Sequence, residues 1–159
     1  MRLSTHIAFG VGVAGAASAY LLDCSITCWI LSLIASATVN IMVDIMGHDH
    51  RLFRPPARTK VTHSLPGIIG ISIAVAWLIQ RGIASPLLPQ PYKIYTATII
   101  GGLSHWLLDA LNPTGVYVVK GRFRIARIPY HSLAANMVLQ MIGGGLLFYS
   151  AMRYYGVPG

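Results

Sequence analysis

Five apolar runs, at about residues 5–22, 26–46, 64–82, 94–111 and 133–152, occupy most of this 159-residue chain. Each has roughly the 17–25 residues that a helix needs to cross a hydrocarbon core. Only 10% of the residues are charged and 55% are hydrophobic, against roughly 25% charged in a soluble domain. The expected fold class is therefore an all-α membrane protein with about five transmembrane helices. Residues 1–159 form a single integral membrane domain, with no room for a soluble module. The first run carries Arg2 and small residues near Ala16 and Ala19, a pattern shared with signal peptides. The expectation is that it is retained as the first helix.

Basic residues orient such a bundle. Alternating spans put the 47–63 and 112–132 loops on the same side as the N-terminus. That side holds Arg2, Arg51, Arg54, Arg58, Lys60, Lys120, Arg122, Arg124 and Arg127; the other holds Arg81, Lys93 and Arg153. The excess of Lys and Arg marks the cytoplasmic face, which predicts a cytoplasmic N-terminus and an external C-terminus in the cell membrane. This bias accounts for the net charge of +8, so no nucleic-acid partner is expected. The partners implied are membrane lipids, whose anionic headgroups attract such loops.

The loops differ in character. Residues 53–60 form an extended basic connector, and the 84–93 segment is a proline-rich outer loop. Residues 116–129 alternate around Lys120-Gly121, which suggests a short basic hairpin in preference to an interfacial segment. Gly101-Gly102 and Gly143-Gly144-Gly145 suit close helix contacts. Cys24 and Cys28 lack the CxxC spacing of a zinc pair, and two ordinary thiols are the expectation. A disulfide would require a non-helical turn outside the cytoplasm.

The chain has only four carboxylates, Asp23, Asp44, Asp49 and Asp109, and six histidines. On the topology above, every histidine and three of the aspartates fall at the cytoplasmic level. His6 opens the first helix. Asp44 and His48 close the second at i and i+4, with Asp49 and His50 directly after. His63 opens the third. His105 and Asp109 close the fourth, again at i and i+4, one face of a helix. His131 precedes the fifth. Imidazole and carboxylate groups converging from several helices are a divalent-metal donor set. Asp44 and Asp109 sit near helix C-termini, and His6 and His63 at N-termini. Those placements oppose the helix macrodipole and suit a bound cation. The metal candidates are thus His6, Asp44, His48, His63, His105 and Asp109.

The chain also resembles the YdjM-type (LexA-regulated) membrane-bound metal-dependent hydrolases and their small archaeal relatives. Thr5-His6, Asp44, Thr62-His63-Ser64 and the run His105-Trp106-Leu107-Leu108-Asp109-Ala110-Leu111-Asn112-Pro113-Thr114-Gly115-Val116 carry the likeness, with Arg122-Phe123-Arg124-Ile125 and Ile128-Pro129 beyond. The family often reads Pro-Asp-x-Asp-His at the end of the second helix. Here Met46 replaces the second Asp, and His48 is displaced by one position. The resemblance implies a phospholipase C-like hydrolase.

Together these readings lead to an expected function: a divalent-metal-dependent hydrolase at the cytoplasmic interface, acting on a lipid or lipid-linked phosphoester. One or two ions are expected, zinc first, to activate water and polarise a phosphoryl or acyl oxygen. Asp49 and His131 are the candidate catalytic acid and base. Arg58, Lys60, Asn112, Arg122, Arg124 and Arg127 are the candidate substrate-binding residues. The alternative is a non-catalytic metal-binding structural or assembly protein. A metal transporter fits less well, because Asp23 is the one carboxylate at the opposite level.

Overall fold

The computed structural model describes residues 1–49, 57–58, 61–84, 90–119 and 121–156. Five helices dominate: α1 (Leu3–Ala16), α2 (Ile26–Gly47), α3 (Leu65–Ile79), α4 (Tyr92–Ala110) and α5 (Leu133–Met152). α1 and α3 each continue into one π-helical turn, Ala17–Leu21 and Gln80–Ala84. All five fall on the apolar runs, within a few residues at each end. Two short antiparallel ladders complete the described chain. β1 (His48–Asp49) pairs with β2 (Ala57–Arg58), and β3 (Val116–Tyr117) pairs with β4 (Arg122–Phe123).

Three of the helical segments, Ile26–Gly47, Leu65–Gly82 and Leu133–Met152, are long and apolar enough to cross a membrane. α1 and α4 are interrupted by more polar side chains, among them the buried His6, His105 and Asp109.

α1, α2 and α4 pack on one another at the centre, α3 lies against α2 and α4, and α5 lies against α1. The apolar side chains of the central helices fill two clusters. One, around Trp29, Leu31 and Ile94, lies towards the α1–α2 turn; the other, around Val39, Val43 and Ile68, lies towards the far end of α2. α5 instead leaves Leu133, Met137, Val138, Met141 and Phe148 exposed. An apolar face of that extent belongs against lipid or another protein.

Glycine sets the closest helix approach. A Cβ at Gly12 would lie 2.1 Å from the Gly143 carbonyl oxygen, so α1 and α5 meet backbone to backbone. A Cβ at Gly101 or Gly102 would meet the Ser36 or Ser72 hydroxyl at 2.2 or 2.3 Å, whereas Gly144 and Gly145 face open space. The glycines of the fifth run therefore divide into one that packs and two that do not.

Within the 116–129 segment, β3 and β4 make a hairpin, with Val116 opposite Phe123 and Tyr117 opposite Arg122. It is fastened to the ends of two helices. Tyr117 N donates to the His63 carbonyl at 3.2 Å, and Trp106 Nε1 donates to the Tyr117 carbonyl at 3.2 Å. Beyond the hairpin, Ile125 N and Ile128 N donate to the Ala110 and Leu111 carbonyls at 2.8 and 2.9 Å. Those carbonyls have no partner within α4, since the last turn of a helix leaves its acceptors open. The hairpin segment thus caps the helix that carries His105 and Asp109.

At the opposite end, Cys24 and Cys28 are paired as a disulfide, with Cα atoms 5.4 Å apart. This corrects the expectation of two free thiols. Cys24 lies in the turn before α2, so the pair is not confined to one regular helix, and the Cα separation is within the bridging range. Asp23, at φ 48°, makes the turn. Arg153 binds the Asp23 carboxylate and the Ala19 carbonyl, and Lys93 Nζ donates to the Asp23 carbonyl at 2.7 Å.

Candidate metal centre

Four helix ends deliver the cluster. His6 sits in the first turns of α1, where Asn136 of α5 fixes the chain: its Oδ1 accepts from Arg2 N at 3.1 Å and from Thr5 Oγ1 at 2.6 Å. Asp44 lies one turn before the end of α2. His63 immediately precedes the Ser64 N-cap of α3, whose hydroxyl accepts from Gly67 N at 3.1 Å. His105 and Asp109 occupy the last two turns of α4. A hydroxyl N-cap fixes the chain entering a helix, and here it holds His63 inward.

The side chains converge on Asp109. His6 Nε2 lies 3.2 Å from Asp109 Oδ1, while His63 Nε2 and His105 Nε2 each lie 3.5 Å from Asp109 Oδ2. Asp44 Oδ1 closes the other side, 3.6 Å from His105 Nε2 and 3.9 Å from His63 Nε2. The three imidazoles and Asp109 are at most 1% exposed, and Asp44 is 14% exposed. Asp44 is therefore the edge of the cluster nearest to solvent. The His6 and His105 rings stack with centroids 3.9 Å apart.

This arrangement fits a cation. Two overlapping groups, His6–Asp44–His105 and His63–His105–Asp109, each offer ligand atoms within 4.8 Å of one another. Ligands about 2.0–2.1 Å from a tetrahedral zinc lie roughly 3.3 Å apart. The four separations joining His63 and His105 to Asp44 and Asp109, 3.5 to 3.9 Å, are slightly wider than that edge. Among the described residues, His105 Nε2 and His6 Nδ1 are buried without a hydrogen-bond partner. Buried polar atoms are rarely left so, and His105 Nε2 faces two carboxylates. Asn112, buried at the α4 stop, donates from Nδ2 to Asp109 Oδ1 at 3.0 Å. It thereby orients that carboxylate.

Glycine at position 47 makes the space. A Cβ there would lie 2.1 Å from His63 Cε1 and 2.6 Å from His63 Nδ1. Met46 is 57% exposed and outside the cluster.

The other sequence candidates belong to the segments that follow α2 and α4. His48 and Asp49 form β1, with His48 opposite Arg58, and this ladder follows directly on the end of α2 at Gly47. Lys60 and His50 lie outside the described residues. His131 is exposed, its ring edge-on to Tyr130 at 5.2 Å, and the cluster contains no contact to it among the described residues. Arg122 donates to the Tyr117 hydroxyl at 3.0 and 3.2 Å, Arg124 donates to the Pro113 carbonyl at 3.0 Å, and Arg127 is exposed. All three arginines flank the α4 end and none enters the cluster.

Asn40 is a site residue that sequence reasoning missed. Its Oδ1 lies 3.0 Å from His105 Nδ1. The signal was present as Ser36, Asn40 and Asp44 at successive i, i+4 positions, one polar stripe along an apolar helix.

Residues 1–108 match a protein family described as "Protein of unknown function (DUF1286)". The match spans His6, Asp44, His63 and His105 and stops just short of Asp109. No curated protein and no solved structure matches the chain.

Proposed function

We propose that this chain, which belongs to the DUF1286 family, is a membrane-bound divalent-metal-dependent hydrolase of the YdjM type, acting on a lipid or lipid-linked phosphoester. The observation that carries the reading is the convergence of three buried imidazoles on two carboxylates, with His105 Nε2 lacking a hydrogen bond. His63, His105, Asp44 and Asp109 would hold the first ion, and His6 stands against the other oxygen of Asp109, placed to serve a second. Zinc is the first candidate for a donor set of imidazole and carboxylate. When bound, such an ion supplies Lewis-acid polarisation and an activated water.

The chain's own groups take the other roles. Asp44 forms the solvent-facing edge, so substrate approaches there, beside β1. Asp49 in β1 and His131 beyond the hairpin are the groups left for proton transfer, since the buried imidazoles are engaged in the cluster. Arg58, Lys60, Arg122, Arg124 and Arg127 supply positive charge for a phosphate or an anionic headgroup. α1 with its π-helical turn, and α4, complete five spans, with the cluster at the cytoplasmic level by the positive-inside bias.

A second reading, a non-catalytic metal that staples four helix ends together, is favoured by the near-complete burial of four of the five residues. Structural sites are closed by protein ligands, whereas catalytic sites keep one position open. Elemental analysis of purified protein beside a His105→Ala/Asp109→Ala variant tests the centre: the metal is expected to disappear in the variant, and equal content would overturn it. A phosphodiester and phospholipid panel, with and without chelator, separates the readings. Chelator-sensitive turnover is expected. Stoichiometric metal with no turnover on any substrate favours the staple.

A further inference from the structure

We infer that Asn40 is a positioning residue: it holds the proton of His105 on Nδ1, so that Nε2 presents its lone pair to the ion. This rests on the metal-centre reading above and adds to it a residue that is not itself a ligand.

The hydrogen bonds of Asn40 leave one arrangement. Its Nδ2 lies 2.8 Å from the Ser36 carbonyl oxygen, and its Oδ1 lies 3.0 Å from His105 Nδ1. Exchanging the amide oxygen and nitrogen would press two acceptors together at the Ser36 carbonyl. Nδ2 is therefore the donor to Ser36, and Oδ1 must accept. Among the described residues, the group that gives Oδ1 a proton is His105 Nδ1–H, and a neutral imidazole protonated there is bare at Nε2. That atom lies 3.5 and 3.6 Å from the Asp109 and Asp44 carboxylates, with no hydrogen bond of its own. The second nitrogen of a ligating histidine is commonly fixed in this manner, and losing the partner weakens metal binding.

The surroundings keep Asn40 in place. It is wholly buried on α2, and a Cβ at Gly10 would lie 2.4 Å from its Nδ2, so α1 yields space for the amide. The stacked His6 ring holds the plane of His105. The contacts of the other two imidazoles differ in kind. His63 Nδ1 faces Thr62 Oγ1 at 3.1 Å, a hydroxyl able to donate or accept, and His6 Nδ1 has no hydrogen-bond partner among the described residues. Asn40 is thus the group that sets the tautomer of His105.

The test uses the full chain in detergent, labelled with 15N-histidine, with the His105 signal assigned by its loss in His105→Ala. In metal-free wild type, His105 is expected as the Nδ1–H tautomer; an Nε2–H tautomer overturns the inference. In Asn40→Leu, which removes the acceptor at similar volume, the tautomer is expected to shift and Zn2+ affinity to fall about 10–100-fold. Asn40→Asp restores an acceptor and is expected to bind Zn2+ within a few-fold of wild type. Should Asn40→Leu not fold, the wild-type tautomer and the Asn40→Asp affinity carry the decision. Wild type that binds Zn2+ while Asn40→Leu matches it in affinity and tautomer overturns the role of Asn40 alone. Wild type that binds neither Zn2+ nor Co2+ overturns the metal centre, and the positioning role with it.

Discussion

His63 Nε2 and Asp109 Oδ2 lie 3.5 Å apart, although one enters α3 and the other leaves α4. Neither position is set by its own helix alone. The Ser64 cap aims His63 inward, Asn112 orients Asp109, and the hairpin bonds to the backbone at both places.

Asn112→Ala removes the Nδ2 donor from Asp109 Oδ1. An oriented ligand carboxylate loses about 10–100-fold in metal affinity without its outer partner. Zinc titration followed by calorimetry checks this, and unchanged affinity would show that Asp109 is held by its helix alone.

At Gly47 the expected effect is steric. The added methyl of Gly47→Ala would meet the His63 ring at 2.1 Å, so the ring must leave the cluster. Zinc affinity is expected to fall at least about tenfold, with an overpacking cost of about 1–3 kcal/mol. Gly145→Ala, whose methyl meets nothing within 4 Å, is the control and is expected to behave as wild type in both assays.

Acid is expected to release a bound ion. Imidazoles bind metal only when neutral, so protons compete with it. Zinc affinity is expected to fall as pH is lowered. The part of the thermal midpoint that a chelator removes disappears in parallel, because a ligand stabilises only the state that binds it. A chelator-sensitive midpoint that persists undiminished in acid would exclude histidine ligation.

Asn136 tests the fastening of α1. It accepts from Arg2 N and Thr5 Oγ1 and donates to the Tyr130 and Ser132 carbonyls at 2.9 and 2.7 Å. Asn136→Ala leaves buried partners unsatisfied, at about 1–3 kcal/mol per group. A lower thermal midpoint is expected, with weaker zinc binding because His6 sits on the loosened turn. Unaltered stability would remove Asn136 from the account.

The cysteine pair gives a prediction remote from the cluster. Intact protein purified without reductant is expected to resist alkylation at Cys24 and Cys28, and to accept two alkyl groups after reduction. Alkylation before reduction would return both residues to the free thiols expected from their spacing.

The sequence by itself determined the helices and which of their ends carry histidine and aspartate. A run of 18 to 22 apolar residues has few ways to satisfy its backbone in hydrocarbon other than as a helix, so the bounds of α2 and α5 could be read almost to the residue. Histidine and aspartate are costly inside such runs, which made His6, Asp44, His63, His105 and Asp109 conspicuous. Tertiary structure decided which of the remaining candidates join them. Asn112 turns to Asp109, whereas His131 and the three hairpin arginines stay outside the cluster. It also brought in Asn40, an ordinary polar residue in its own helix until α4 places an imidazole 3.0 Å away. The reason is physical: periodicity along one chain fixes which face of a helix a residue occupies, but the partner on that face is chosen by how closely two helices approach. Here the glycines at positions 10, 12, 47 and 101 set that approach.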